Sequence, residues 1–322
     1  MPISLHLPPQ TLGYAQRPYL WFRRCQAMRG PVAMLAWLPI SALAAFAFWM
    51  CGSSPAAAEQ RPQASPWKTA YAARLRLIGS GAGGLTLEEG QRLAALQIEL
   101  EPNWKTYWRM PGEAGVAPEF DWSKSSNVQS VTVLYPAPRR YPDQGGDAIG
   151  YSQGVTFPLL VTPKEASEAA ELVLDFTFGI CRDICIPLEV GLRMSLPPLP
   201  ASTLVHPLVS AALEQVPQPA IVAKPETPRL TEVSGSVAEA PRRLTLTTAS
   251  PAEDEVEVFV EAPDGLFVPL PVRSQGPQPP GTAVFVVDLA RSYDAMELVG
   301  KPLRITVVGR TGASETIFTP EK

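Results

Sequence analysis

The sequence predicts an all-β protein: two β-sandwiches joined by a proline-rich linker, behind an amino-terminal targeting segment. Three observations carry this reading. Prolines number 36 in 322 residues, a density that breaks long helices and suits short strands separated by turns. Several segments alternate apolar and polar side chains with a period of two, as half-buried strands do. The first 58 residues also differ in composition from everything that follows.

Residues 1–58 contain Arg17, Arg23, Arg24 and Arg29 and no lysine, aspartate or glutamate. Arg29 is followed by a mostly apolar run from Val32 to Met50, then by Gly52-Ser53-Ser54-Pro55 and Ala56-Ala57-Ala58. That is the basic, apolar and small-residue order of a secretory signal, with cleavage expected after Ala58. The run is long enough to serve as a membrane anchor, but Pro39 inside it and the small residues after it favour removal. Phe48-Trp49-Met50 ahead of Cys51 is too bulky for a lipid-attachment box, and a start at Met28 would give a signal of ordinary length. Removing four of the 27 basic residues leaves 23 against 31 acidic ones, a net charge of −8. An acidic chain without a basic cluster lacks the electrostatic footprint of a nucleic-acid binder. No later stretch is apolar for long enough to span a bilayer. The expectation is a soluble, exported protein in an oxidising compartment.

The first sandwich is expected over residues 59–200. Its strand signals are Leu96–Leu100, Val131–Tyr135 and Leu172–Phe178; in the last, Leu172, Leu174, Phe176 and Phe178 share one face. Residues 201–228 read as the linker. They hold one short helix, Pro207–Val216, with apolar Leu208, Ala211, Ala212 and Val216, followed by Pro217-Gln218-Pro219 and Lys224-Pro225-Glu226-Thr227-Pro228. Strand signals resume over residues 229–322 at Leu244–Thr247, Val256–Val260, Ala283–Val287 and Leu303–Val308. Their polar alternation argues for a second antiparallel sandwich over a parallel sheet.

The chemistry-bearing feature is a cysteine pair, Cys181 and Cys185, in Phe178-Gly179-Ile180-Cys181-Arg182-Asp183-Ile184-Cys185-Ile186-Pro187. Cys25 and Cys51 fall in the targeting segment, so the mature protein keeps one pair, and an oxidising compartment favours a disulfide. On an extended strand these positions would lie about 13 Å apart, beyond the reach of a disulfide. The chain must therefore turn through Arg182-Asp183-Ile184, as a tight connection or a single helical turn. A loop this short gives a disulfide only about 2 kcal/mol of stabilisation, so it is a weak staple. Arg182 would favour a thiolate and Asp183 would oppose it. From these residues alone, a redox pair and a structural bridge both stand open.

Other chemistries find less support. Zinc needs about four ligands, and beyond residue 58 the chain offers two cysteines and His206, which reads as an exposed helix residue. A two-thiolate Cu(I) site is a third reading of the pair, since soft sulfur selects that ion. There is no glycine-rich phosphate loop and no hydroxyl nucleophile with an evident base, and no cofactor is expected. A second dense stretch runs from Pro102 through Trp104, Tyr107, Trp108, Pro111-Gly112 and Gly115 to Trp122. Trp104, Trp108 and Trp122 are expected to fill a core, with a carbohydrate or peptide platform as the alternative, and Pro111-Gly112 reads as a turn.

Taken as an ordered set, Trp104-Lys105-Thr106-Tyr107-Trp108-Arg109, Pro111-Gly112, Gly115, Pro118, Phe120-Asp121-Trp122, Gly150-Tyr151, Phe157-Pro158-Leu159 and Cys181-x-x-x-Cys185-x-Pro187 resemble a known family. It is the amino-terminal periplasmic domain of DsbD-type thiol:disulfide interchange proteins, in the variant of the ScsB-like copper-tolerance branch. The similarity is strong over about residues 68–200, and Phe259–Phe267 resembles part of that branch's extra domain. The resemblance implies immunoglobulin-like sandwiches and catalytic Cys181 and Cys185, the latter forming the intermolecular bond. It implies a protein-disulfide reductase component that takes electrons from a thioredoxin-like or membrane electron-transfer donor and passes them to oxidised periplasmic proteins. Two departures matter. DsbD itself has a wider cysteine spacing, so its loop geometry does not transfer. The sequence also carries no membrane or thioredoxin-like domain up to Lys322, so the electrons are expected from a separate protein. The rival reading is a binding module for copper or a redox protein, with a structural disulfide.

Overall fold

The computed structural model describes residues 63–321 except 83–86, 89, 114, 143–145, 199–203, 252–254, 291 and 293. The expected signal segment, its cleavage point and Cys25 and Cys51 lie outside the described residues. Among these, the chain is almost entirely β, with one α-helix and one 3-10 turn, and no helix is long and apolar enough to cross a membrane.

Four sheets are formed in two pairs. A five-stranded sheet runs Lys68–Ala70, Ala73–Ser80, Arg92–Leu100, Gly154–Thr162, Ser130–Val133 in spatial order. It faces a sheet ordered Cys185–Leu196, Ala170–Cys181, Lys105–Gly112, Ala148–Ser152, Arg139–Tyr141, with Glu119–Asp121 also paired to Ala170–Cys181. Leu75, Leu77, Leu96 and Phe157 from one layer meet Trp108, Leu172, Leu174, Phe176 and Phe178 from the other in a single buried cluster. The period-two face of Leu172–Phe178 is thus entirely inward. Trp104 and Trp108 are buried, leaving neither ring free as a binding platform.

The second pair comprises Gln218–Pro219, Gly312–Phe318, Leu303–Gly309, Glu257–Glu261 and, opposite, Arg229–Ser236, Arg243–Ala249, Thr282–Asp288, Val272–Arg273. Leu244, Leu246, Val258, Val260, Phe285, Ile305 and Val307 fill its core. Alternation then sends Phe259, Val308 and Ala313 to the other side, where they join the cluster of the first pair. Phe259 lies 5.6 Å from Trp108 between ring centroids.

Two sequence readings change. The helix forms, as Pro207–Glu214 with His206 at its N-cap, where Nδ1 accepts from Leu208 N at 3.3 Å. It buries Val209 and Ala212, while Leu208 and Ala211 face outward. The reason is the unusual strand Arg92–Leu100, buried on both faces over most of its length. Its outer side chains Leu93 and Ala95, with Ile78, need a cover, and Val209 packs there. Pro111-Gly112 is not a turn. It ends the strand Lys105–Gly112, where the register to Ala148–Ser152 shifts between Tyr107 and Gly112 as in a bulge. Gly112 has φ 87°, and a Cβ there would collide with the carbonyl of Asp147.

Candidate functional site

The two longest strands, Ala170–Cys181 and Cys185–Leu196, form a hairpin whose register pairs Gly179 with Pro187, Ile180 with Ile186 and Cys181 with Cys185. Only Arg182, Asp183 and Ile184 separate the cysteines, and Arg182 N donates to Ile184 O at 3.4 Å. The turn inferred from the disulfide's reach is therefore a tight hairpin end. Facing positions on adjacent antiparallel strands bring the Cα atoms to 4.2 Å, and the two sulfurs form a disulfide.

The two sulfurs occupy different environments. Cys181 is 3% exposed and packs with Tyr107 and Ala148. Cys185 is exposed, on the edge strand of its sheet. Cys181 also pairs with Lys105, and Thr106 Oγ1 donates to Gly179 O at 2.9 Å, so the strand Lys105–Gly112 holds the base of the hairpin. From the same strand the Tyr107 hydroxyl reaches Cys185 Sγ at 3.1 Å. A disulfide sulfur carries no proton, so here the phenol donates.

At the tip, Arg182 Nε pairs with Asp183 Oδ2 at 2.9 Å. The guanidinium also sits 5.2 Å from the Trp104 ring, which meets Tyr71 edge-on at 5.4 Å. The opposing influences of Arg182 and Asp183 on a thiolate thus come from residues tied to each other. Ile184 and Tyr71 are both 66% exposed, giving the tip an apolar rim. Sequence reading found both cysteines but gave Tyr107 no role of its own. The signal that could have singled it out is its phenol, which a buried tyrosine must satisfy.

His206 stands at the helix cap, with no part in this arrangement. Burial, then the charge of Arg76, pushes its imidazole below the usual histidine value. Among the described residues no group of three or more histidine, cysteine or acidic side chains could hold a metal ion.

Two residues beyond Tyr107 on the strand Lys105–Gly112, Arg109 meets the second pair of sheets. Arg109 Nε donates to Glu261 Oε1 at 2.8 Å and Nη2 to Oε2 at 2.9 Å, and Nη2 also pairs with Glu315. All three side chains are mostly buried, and the guanidinium stacks 4.2 Å from the centroid of Trp108. Burial works against this charge, but the bonds and charges of Glu261 and Glu315 outweigh it and raise the arginine above its ordinary value. Nearby, burial pushes the Tyr135 phenol up to about 12. Arg140 contributes its N–H to Glu257 Oε1 at 3.2 Å and its Nη2 to Pro271 O at 3.0 Å.

Comparison with known proteins places this geometry. Residues 82–195 match the family model described as thiol:disulfide interchange protein DsbD, N-terminal. A solved structure, the N-terminal periplasmic domain of ScsB from Proteus mirabilis, is 23% identical, with a TM-score of 0.61. The alignment covers 81% of this chain and 99% of that one. The YadV chaperone aligns at 10% identity over 76% of this chain and 99% of its own, but its TM-score of 0.21 is too low to bear on the fold. No curated protein matches the chain. Across residues 82–195 the chain is therefore similar to the amino-terminal domain of the DsbD thiol:disulfide interchange proteins, and its described fold is similar to that of the ScsB domain.

Proposed function

We propose that this protein is a periplasmic carrier of reducing equivalents, exported by a cleaved signal segment, with Cys181 and Cys185 as its redox-active pair. A thioredoxin-like or membrane electron-transfer donor reduces the pair, and oxidised periplasmic proteins re-oxidise it. On this reading the two pairs of sheets are immunoglobulin-like domains, residues 59–200 and 229–322, connected through 201–228.

The observation that carries the proposal is the asymmetry of the pair: one sulfur exposed at a hairpin tip, the other buried behind it. In the forward reaction the Cys185 thiolate attacks a substrate disulfide. One substrate sulfur leaves as a thiolate and a mixed disulfide forms on Cys185. Cys181, deprotonated, then attacks Cys185 Sγ, releasing the second substrate thiol and restoring the Cys181–Cys185 bond. Two electrons and two protons pass to the substrate, and a donor dithiol returns them by the reverse route. A staple would gain nothing from such asymmetry, and a bridge across so short a loop stabilises by only about 2 kcal/mol.

The test is trapping. Cys181→Ser, which cannot resolve the mixed disulfide, should accumulate disulfide-linked partners from periplasmic extract, and Cys185→Ser should not. The oxidised protein should also equilibrate with a mild dithiol, whereas structural bridges hold out to below about −300 mV. If neither variant captures a partner and reduction demands stronger conditions, the bridge is structural.

A further inference from the structure

We infer that Tyr107 is a working part of the thiol chemistry: its phenol donates a hydrogen bond to the Cys185 thiolate and makes that sulfur the better nucleophile at neutral pH. The inference rests on the redox reading of the cysteine pair and names a third residue in contact with the reacting atoms.

The phenol lies 3.1 Å from Cys185 Sγ on a side chain that is 1% exposed. Its ring is held from both edges. A Cβ at Gly179 would come within 2.9 Å of Cε2, and one at Gly115 within 2.7 Å of Cδ1. Both positions therefore have to be glycine for the ring to lie where it does, and Gly179 sits on the cysteine hairpin itself. The ring also packs with Cys181 and Ala148. A tyrosine so fixed presents its hydroxyl at a defined place at no cost in side-chain ordering during the reaction, the condition under which a hydrogen bond to a developing anion is most useful.

Chemistry then separates the two sulfurs. In the disulfide the phenol meets a weak acceptor. On reduction the same contact becomes a bond to a charged acceptor, which is about twice as strong as a neutral one. It favours ionisation of Cys185, where attack on a substrate begins. The charged and titratable groups that the register and packing bring toward the pair are Arg182 and Asp183 on the tip, Glu189 on the strand of Cys185, Lys105, which pairs with Cys181, and Tyr141, which packs against the Tyr107–Cys181 cluster. Arg182 is tied to Asp183, and Lys105 Nζ lies 5.8 Å over the Tyr141 ring. The Tyr107 hydroxyl is within hydrogen-bond distance of Cys185 Sγ.

The experiment is site-resolved alkylation of the reduced full chain with iodoacetamide, read by mass spectrometry against pH, for wild type and Tyr107→Phe. Phenylalanine keeps the ring and removes only the hydroxyl. The midpoint for Cys185 should rise by about one pH unit in the variant, the size of a charge-assisted hydrogen bond. The rate at neutral pH should fall by only about threefold, because a thiolate of higher pKa is intrinsically more reactive. The midpoint for Cys181 should move less. An unchanged Cys185 midpoint in a folded Tyr107→Phe protein overturns the inference. So does a wild-type Cys185 midpoint at or above the ordinary thiol value of about 8.5, which needs no variant. Iodoacetamide requires no protein partner, so this result is independent of the trapping experiment, and each reading can fail while the other stands.

Discussion

Tyr107 and Arg109, two positions apart on the strand Lys105–Gly112, do opposite things with polar chemistry. Tyr107 offers its hydroxyl to a half-open sulfur pair, beside a three-residue loop and an exposed apolar rim. Arg109 is mostly buried, stacked on Trp108 and bonded to two carboxylates of the second pair of sheets. A buried charge must be fully matched, because what remains unmatched costs several kcal/mol. A sulfur that exchanges bonds must stay reachable and incompletely matched. The same strand thus carries a site built to change partners and a seam built to keep them.

The comparison breaks most readily at Arg109. Arg109→Ala leaves Glu261 and Glu315 facing each other without their shared cation and should cost about 3 kcal/mol in chemical denaturation. Arg109→Lys, which keeps the charge but loses the two-pronged geometry, should fall between that variant and wild type. Under native conditions the alkylation midpoint of Cys185 should stay at its wild-type value in both. If it shifts as stability falls, the two sites are coupled through the strand, and the division between exchange site and seam is wrong.

How much of this was legible in the sequence follows from what each element depends on. Period two sufficed for Leu172–Phe178, Arg243–Ala249 and Thr282–Asp288, because each buries one face and leaves the other partly exposed. It failed to give the helix face, since Leu93 and Ala95 demand a cover for reasons that lie in another strand. That the chain turns between the cysteines was legible from reach; that it does so as a hairpin and not as a helical turn shows only in the pairing of the two strands. The seam was not legible: alternation puts Phe259 on the face opposite Val258 and Val260, but no local pattern says that this face is covered or that Trp108 meets it. Arg109 pairs with residues 152 positions and more away in the chain, a distance over which no local pattern carries information. Tyr107 was legible as an aromatic and hidden as a hydroxyl, because its partner becomes its neighbour only once the strand and the hairpin meet.

A smaller perturbation sharpens the exchange site. Gly179→Ala would place a methyl group 2.9 Å from the Tyr107 ring and 3.0 Å from Val116 Cβ. Overpacking of this kind costs about 1–3 kcal/mol. The ring is the part that can give way, so the phenol should leave the sulfur. Site-resolved alkylation should then show the Cys185 midpoint moving in the same direction as in Tyr107→Phe. Loss of stability without that movement would mean that Val116 yields instead, and that the glycine shapes the loop after Gly112 rather than the tyrosine.

The smallest effect belongs to Glu257, the one imperfectly matched charge described at the seam. Its Oε1 accepts from Arg140 N, but Oε2 is buried and, among the described residues, finds no donor. Burial raises this carboxyl above its ordinary value and Asp147 adds to the rise, while the Arg140 N–H and the charges of Arg139 and Arg140 oppose it. A carboxyl that holds its proton more tightly folded than unfolded stabilises the fold below its unfolded value, and that contribution is lost as pH rises through the raised one. Glu257→Gln keeps an oxygen for Arg140 and removes the charge. It should therefore be more stable than wild type at neutral pH, by about 1 kcal/mol or less, and the gap should close on acidification as wild-type Glu257 takes up its proton. Thermal melts of the two proteins across the acid range measure this directly. Should the variant instead be less stable at neutral pH, with the deficit shrinking in acid, the charge of Glu257 is holding Arg139 and Arg140. The seam would then contain two matched ion clusters, and the contrast with the half-open sulfur site would be stronger than Arg109 alone makes it.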